Sequence, residues 1–305
     1  MYTKVTGEKL TASILIYVDD LMIITRSEEE EQNIKAYLND NFGQMSWQEG
    51  PKFSFIGTNV TVDHDADAVT VDCSGFIEKM AVKFGVTSTK ETPTPSNFNV
   101  SAESPSMDPE STTDYRSAVM SLMYVAKRVR PDVLFVTSLL ATKCESPTVL
   151  NFKYATHVMA YLKGTSNKGI KFTSTESPEL KVFADASFNA HPDGCSHTGV
   201  ICTLLGGPIL FKSKKQRLVV KSTTDAELYA CDEGIECGLW LSNLCVELGH
   251  HPGSPLKVHQ DNQAAITLMT KGSLIKMRGS VESVWALSSS RSRVVSWSSC
   301  TLQLQ

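Results

Sequence analysis

The chain has 305 residues, of which 41% are hydrophobic and 20% charged, and its formal net charge is −4 at pH 7. This composition is typical of a soluble globular protein with room for two domains, and a chain of this charge needs a local basic patch to contact nucleic acid. The eight cysteines include no Cys-x-x-Cys pair, which argues against a zinc ribbon or a disulfide scaffold and favours reduced thiols.

The first apolar stretch, residues 11–25, predicts two β-strands with a turn at Val18-Asp19-Asp20. Two adjacent aspartates between buried strands are costly unless a divalent metal offsets their desolvation, and a polar hairpin turn is the alternative. The same two charges argue against a signal peptide. The sequence contains no run of about 18 apolar residues, so no membrane span is predicted. We therefore expect a cytoplasmic or nuclear protein that is not secreted and makes no membrane contact.

The next segment predicts a helix, a β-hairpin and a second helix. Ser27 and Glu30 have the spacing of a capping box and predict the start of a helix. Residues 53–62 and 68–73 predict a hairpin, with a helix capped by Ser74 after it.

Between residues 87 and 113 serine, threonine and proline dominate, which predicts a linker or a long surface loop. Helical periodicity then returns, and Ser146 is the expected N-cap of the last helix of this region. The basic residues from Lys127 to Arg130 predict either a phosphate contact or a solvated charge cluster. The predicted helices span residues 114–127, 131–143 and 147–163.

The second half of the chain predicts short strands followed by a long helix over residues 223–248. In that helix Gly234 and Gly238 are expected to weaken the structure, and Trp240 is expected to lie in the core. A dense basic stretch precedes the helix and is the best candidate for a phosphate-contacting patch. Its basic residues are Lys212, Lys214, Lys215 and Arg217.

Three acidic residues lie near the ends of predicted strands or the beginnings of predicted helices in this half of the chain. Asp185 ends a short strand that begins at Lys181, Glu227 lies in the long helix, and Asp261 ends a second strand and opens a helix. The separations leave room for a hairpin and for a helix, so the chain can bring all three acids to one site. Grouped carboxylates are hard oxygen ligands for Mg²⁺, and two such ions can clamp the attacking and leaving oxygens of a phosphodiester.

In the motifs described above and in several further segments, the chain resembles the C-terminal part of the Pol polyprotein of copia-type LTR retrotransposons. Tyr17-Val-Asp-Asp20 is similar to the Tyr-x-Asp-Asp hairpin of the reverse-transcriptase palm. Further segments follow the family's order from about residue 10 to about residue 276, and together they make the resemblance specific. They are residues 55–60, 92–95, 114–124, 130–132, 161–165, 213–216, 222–227 and 261–266.

The resemblance implies an α/β (α+β) fold in which a truncated palm and a helical connection precede a ribonuclease H-like domain with a mixed sheet and flanking helices. It assigns the catalytic and metal-binding carboxylates to Asp185, Glu227 and Asp261, with Mg²⁺ or Mn²⁺ as the cofactor. The implied substrate is the RNA strand of an RNA–DNA hybrid, selected by shape and 2′-hydroxyls. The expected parts are a partial palm (1–86), a linker or loop (87–113), a helical thumb or connection (114–167), the ribonuclease H-like domain (168–275) and a degraded or disordered tail (276–305).

Two departures from the family pattern bear on activity. The palm strand that supplies the family's other polymerase aspartate is not in this chain, so Asp19 and Asp20 are expected to be a vestigial metal pair without DNA synthesis. The family's His-x-Asp segment, which supplies a fourth ribonuclease H carboxylate, is replaced after Arg278, where Glu282 is the nearby acid.

The sequence therefore leaves several functions open. The first is a metal-dependent ribonuclease acting on RNA–DNA hybrids. The alternatives are a catalytically inactive remnant of the same element, a non-catalytic nucleic-acid-binding module that uses the basic patch, and a nuclease of the same fold that acts on DNA.

Overall fold

The computed structural model describes residues 2–6, 9–176, 178–250, 256–270, 295–298 and 301–304. The described elements form three sheets and a helical layer. The strands are β1 (Tyr2–Thr6), β2 (Lys9–Tyr17), β3 (Asp20–Thr25), β4 (Lys52–Phe55), β5 (Thr58–Asp63), β6 (Ala68–Asp72), β7 (Ile170–Thr173), β8 (Lys181–Ser187), β9 (His197–Leu204), β10 (Gly207–Lys215), β11 (Leu256–His259), β12 (Val295–Ser298) and β13 (Thr301–Leu304). The helices are α1 (Glu28–Phe42), α2 (Ser74–Lys83), α3 (Pro109–Arg128), α4 (Leu134–Ala141), α5 (Val149–Gly164), α6 (Thr223–Glu247) and α7 (Gln263–Thr270).

The predicted first hairpin is present as β2 and β3, in which Tyr17 faces Asp20. Ser27 is the N-cap of α1, as the capping-box spacing predicts, and its hydroxyl accepts the Glu30 N–H. At the hairpin tip Val18 has a φ of 55° and is 85% exposed. A β-branched residue with positive φ is unusual, because its Cβ crowds the backbone in that conformation.

Replacing Val18 with glycine is therefore expected to stabilise the protein by about 1 kcal/mol, since it relieves the strain and removes almost no buried surface. Thermal unfolding measures the effect. Val82, which is also highly exposed but lies inside α2, is the matched control, and its replacement with glycine is expected to destabilise. A lower melting temperature for Val18→Gly would contradict this account.

Residues 53–62 form two strands where the sequence predicted one. Ile56 and Gly57 both have positive φ and make a tight turn between β4 and β5. The turn docks on α3, where the Tyr124 hydroxyl donates to the Ile56 carbonyl. An added Cβ on Gly57 would lie 2.5 Å from that hydroxyl, so this contact requires glycine.

A helical core lies against the sheet that contains β4, β5 and β6. Helices α2 to α5 bury a continuous apolar cluster that includes Tyr115, Leu122, Leu140 and Met159. The prediction that Ser146 caps α5 is wrong, because Thr148 caps this helix and forms a capping box with Asn151. The expected cap Ser74 is also wrong, since α2 begins at that residue and Cys73 precedes it without a capping hydrogen bond.

Arg130 lies inside this layer and is only 2% exposed, so it belongs neither to a phosphate site nor to a solvated cluster. Its guanidinium donates twice to the Asp132 carboxylate, at 2.9 and 2.8 Å. It also donates to the carbonyl and the hydroxyl of Thr165. The Tyr161 hydroxyl donates to Asp132 at 2.8 Å, which ties the start of α4 to the end of α5.

Strand β7 pairs with β6 and so belongs to the sheet of the first half of the chain. The sheet of the second half has the order β10-β9-β8-β11-β13-β12, with β8 and β11 parallel and the other pairs antiparallel. It therefore begins at Lys181, while the predicted domain boundaries remain predictions. Most of the predicted tail lies outside the described residues, except β13, which pairs with β11, and β12 beside it.

Helix α6 covers one face of this sheet through its glycines. An added Cβ on Gly234 would lie 3.1 Å from Val182, and one on Gly238 would lie 2.6 Å from Leu256. These glycines let the helix approach β8 and β11 closely, which sets the position of Glu227. Trp240 on the same helix is 58% exposed, so its expected place in the core is wrong. In the described part of the chain, no helix has the length and hydropathy of a membrane span.

Candidate metal centre

Asp185, Glu227 and Asp261 meet at one end of the second sheet. Asp185 lies in β8, Glu227 in the second turn of α6, and Asp261 two residues after the end of β11. One oxygen of each carboxylate lies within 4.8 Å of the others. Because β8 and β11 are parallel neighbours, their carboxyl ends come to the same edge of the sheet. The structure thus brings together the three acids selected from the sequence.

The electrostatics of the cluster differ from one acid to another. Glu227 is 7% exposed, whereas Asp185 and Asp261 are exposed. Burial, together with the charges of Asp185 and Asp261, raises the pKa of Glu227 to about 7 against the opposing hydrogen bond from Gln260. Three carboxylates held this close, one of them buried, form a hard oxygen donor set that suits Mg²⁺ or Mn²⁺.

The raised pKa of Glu227 predicts a pH-dependent stability of the metal-free protein. A carboxyl with a folded pKa of about 7 and an ordinary pKa of 4.5 binds its proton more tightly when the protein is folded. Its ionisation therefore removes stability as the pH rises from about 4.5 to about 7, by up to about 3 kcal/mol. Glu227→Gln is expected to remove this loss, so that the variant exceeds the parent in stability at pH 8.

Urea unfolding in the presence of EDTA at pH 5 and pH 8 measures this difference. Glu236→Gln is the matched control, because Glu236 is exposed on the same helix. Equal pH dependence in Glu227→Gln and the parent protein would contradict the assignment.

Gln260, the residue immediately before Asp261, was not among the predicted site residues. It is 6% exposed, and its amide nitrogen donates to Glu227 Oε2 at 3.1 Å. A second buried glutamine, Gln216, lies 1% exposed and donates to the Ala226 carbonyl and the Thr198 hydroxyl, beside the same turn of α6. The available sequence signal was the position of Gln260 directly before Asp261, which carries little information by itself.

The predicted basic patch is largely paired with acids. Lys212 and Lys214 contact the two oxygens of Glu233 at 2.6 and 2.5 Å. Burial raises the pKa of Glu233, but the two lysines outweigh it and hold that pKa below its usual range. Lys215 contacts Asp193, while Arg217 is exposed just after β10.

Asp19 and Asp20 lie exposed at the tip of the first hairpin. Among the described residues, the cluster of Asp185, Glu227 and Asp261 is the one in which three potential metal ligands gather, and it does not include this pair.

A cleft of about 820 Å³ opens beside the acids, on the sheet face opposite α6. Phe135 from α4 and Phe183 from β8 line it, and Phe183 stacks on His259 with 4.6 Å between ring centroids. On its wall His197 lies between His191 and Ser213, with ring-nitrogen contacts of 3.0 and 2.7 Å. Burial lowers the pKa of His197 to about 4, so this group is uncharged at neutral pH.

The fold class is that of a reverse transcriptase joined to a ribonuclease H, as the sequence predicted. Its parts are an aspartate-bearing hairpin, a helical layer and a mixed sheet with three acids at one edge. The fold is similar to the solved structure of the foamy viral protease–reverse transcriptase in complex with an RNA/DNA hybrid, with a TM-score of 0.52 and 12% identity. That similarity covers 91% of this chain and 34% of the viral chain.

The chain belongs to the copia-type retrotransposon Pol polyproteins. It is 30% identical over 225 residues to the putative transposon Ty5-1 protein of Saccharomyces cerevisiae, covering 73% of this chain and 72% of the yeast protein. It is 28% identical over 287 residues to the retrovirus-related Pol polyprotein from transposon TNT 1-94 of Nicotiana tabacum. That match covers 91% of this chain and 21% of the tobacco polyprotein, so the chain spans about a fifth of that relative. No protein-family model matches the chain.

Proposed function

We propose that the second half of the chain hydrolyses the RNA strand of RNA–DNA hybrids with Mg²⁺, for which Mn²⁺ can substitute. The observation that carries this proposal is the gathering of Asp185, Glu227 and Asp261 within 4.8 Å at an open edge of the sheet. Like charges repel at this distance, so the arrangement is costly without a cation to offset it.

Each acid has a distinct part in this proposal. Asp185 and Asp261 are exposed and offer oxygens on the side from which a phosphodiester can approach. Glu227 is buried and offers an oxygen of fixed position from the sheet's covering helix. These three carboxylates would hold two Mg²⁺ ions, which would supply activation of water and neutralisation of the leaving oxygen.

The substrate class is supported by the fold and by the family. The viral neighbour was solved in complex with an RNA/DNA hybrid, and the relatives are Pol polyproteins of transposons. Within the basic patch Arg217 is exposed, and we assign it the first contact with a substrate phosphate. Lys212, Lys214 and Lys215 contact acids and must exchange those partners for phosphate.

The proposal does not extend to DNA synthesis. Asp19 and Asp20 remain a proposed vestige of the polymerase metal pair. Glu282, the acid nearest to the position of the family's fourth carboxylate, lies outside the described residues.

The test gives the full-length protein four labelled substrates of the same sequence and measures their cleavage. The substrates are an RNA–DNA hybrid, single-stranded RNA, duplex RNA and duplex DNA. We expect Mg²⁺-dependent cleavage of the RNA strand of the hybrid alone. Cleavage of duplex DNA would favour a DNA nuclease, and binding without cleavage would favour the inactive remnant or the binding module.

A further inference from the structure

The side chain of Gln260 connects all three elements that carry the acids. Its amide nitrogen lies 3.1 Å from Glu227 Oε2 on α6 and 3.3 Å from the Ala184 carbonyl on β8. Its amide oxygen accepts the backbone N–H of Asp261 at 2.8 Å and of Asn262 at 3.0 Å. Ala184 immediately precedes Asp185, so one side chain contacts the segments of all three carboxylates.

The orientation of this amide is determined by its neighbours. The oxygen faces two backbone N–H donors, and the nitrogen faces a carboxylate, a carbonyl and the Cys231 sulfur, which all act as acceptors here. Rotating the amide by half a turn would place donors against donors and acceptors against acceptors. The NH₂ group therefore stays directed at Glu227.

This contact has a consequence for the buried carboxylate. The hydrogen bond from Gln260 fixes the position of Oε2 of the Glu227 carboxylate. The carboxylate held in this way keeps an oxygen within 4.8 Å of oxygens of Asp185 and Asp261.

We propose that Gln260 is a positioning residue that presets the Glu227 carboxylate, together with the backbone beside Asp185 and Asp261, for binding a divalent cation. The inference rests on the proposed function, because it concerns the same site. Asparagine has the same amide on a side chain one methylene shorter, so it cannot keep the backbone contacts at Asp261 and Asn262 while it reaches Glu227.

The test uses Mn²⁺ alone as the probe and the full chain as the protein. Bound Mn²⁺ is measured by electron paramagnetic resonance for the parent protein, Gln260→Leu, Gln260→Asn and the control Gln44→Leu, which changes an exposed glutamine in a loop. We expect a loss of Mn²⁺ affinity of about ten-fold or more in both Gln260 variants, as for other residues that orient metal ligands. Gln44→Leu is expected to match the parent protein.

A double-mutant cycle separates positioning from a general loss of stability. If Gln260 acts through Glu227, then Gln260→Leu changes Mn²⁺ affinity much less in a Glu227→Gln background than in the parent. Circular dichroism identifies any variant that does not fold, and Gln260→Asn keeps the test decisive if Gln260→Leu is one. Unchanged Mn²⁺ affinity in a folded Gln260 variant would overturn this inference alone. No Mn²⁺ binding by the parent protein would overturn the proposed function and this inference with it.

Discussion

Asp185→Asn is expected to reduce cleavage of an RNA–DNA hybrid by a factor on the order of 10³ or more, because the change removes one of three anionic ligands from the cation site. Asp185 is exposed at the end of β8, so the substitution leaves the core intact. It also relieves repulsion with Glu227 and Asp261. The melting temperature of the metal-free variant is therefore expected to equal or exceed that of the parent.

The measurement is initial-rate cleavage of a labelled hybrid by the full chain in Mg²⁺ and then in Mn²⁺. Asp65→Asn is the control, because Asp65 is an exposed aspartate in the turn between β5 and β6, far from the site in sequence. Equal cleavage by Asp185→Asn and the parent would refute the assignment of the site. Equal loss in both variants would point to a general effect of charge.

Arg130→Met is expected to destabilise the protein by about 3 kcal/mol, the largest loss of stability among the substitutions considered. Methionine keeps much of the volume but removes the guanidinium donor from the Thr165 carbonyl and hydroxyl and from the Asp132 carboxylate, which keeps only the Tyr161 hydroxyl as a side-chain donor. Removing one partner of a fully buried ion pair costs about 3–5 kcal/mol. The lower figure applies because the Asp132 side chain is 40% exposed and water can hydrate it.

Thermal unfolding, followed by circular dichroism, measures the loss. Arg128→Met is the matched control, since Arg128 is exposed two residues earlier and lies over the Tyr124 ring, with 4.4 Å from its guanidinium carbon to the ring centroid. A surface contact of that kind is worth about 0.5–1 kcal/mol. Similar melting temperatures for the two variants would contradict a structural role for the buried network.

Local signals in the sequence predicted much of the secondary structure. The hairpin of β2 and β3 was predicted because β-branched residues flank two aspartates, and the start of α1 because Ser27 and Glu30 have capping-box spacing. The candidate site was predicted for a related reason. Asp185 and Asp261 were each predicted at the end of a short strand, and the structure shows that the parallel pairing of β8 and β11 brings these ends together.

Features that depend on long-range packing were not predicted. Gly234 and Gly238 looked like weak points of a helix, but the space they leave is filled by side chains of β8 and β11. Arg130 looked like a surface charge, since its partner Thr165 comes 35 residues later. The contacts of Gln260 join residues of three elements, and hydrophobic periodicity does not encode such contacts.

The pairing of β6 with β7 has a consequence for synthesis on the ribosome. Val71 faces Ile170, so this ladder closes a loop of about 100 residues that contains helices α2 to α5. At about 5–20 residues per second, the edge of β6 waits roughly 5–20 s for its partner. An open strand edge can pair with another nascent chain. A polypeptide that stops before Ile170 never closes this edge, so it is expected to aggregate more readily than the full chain.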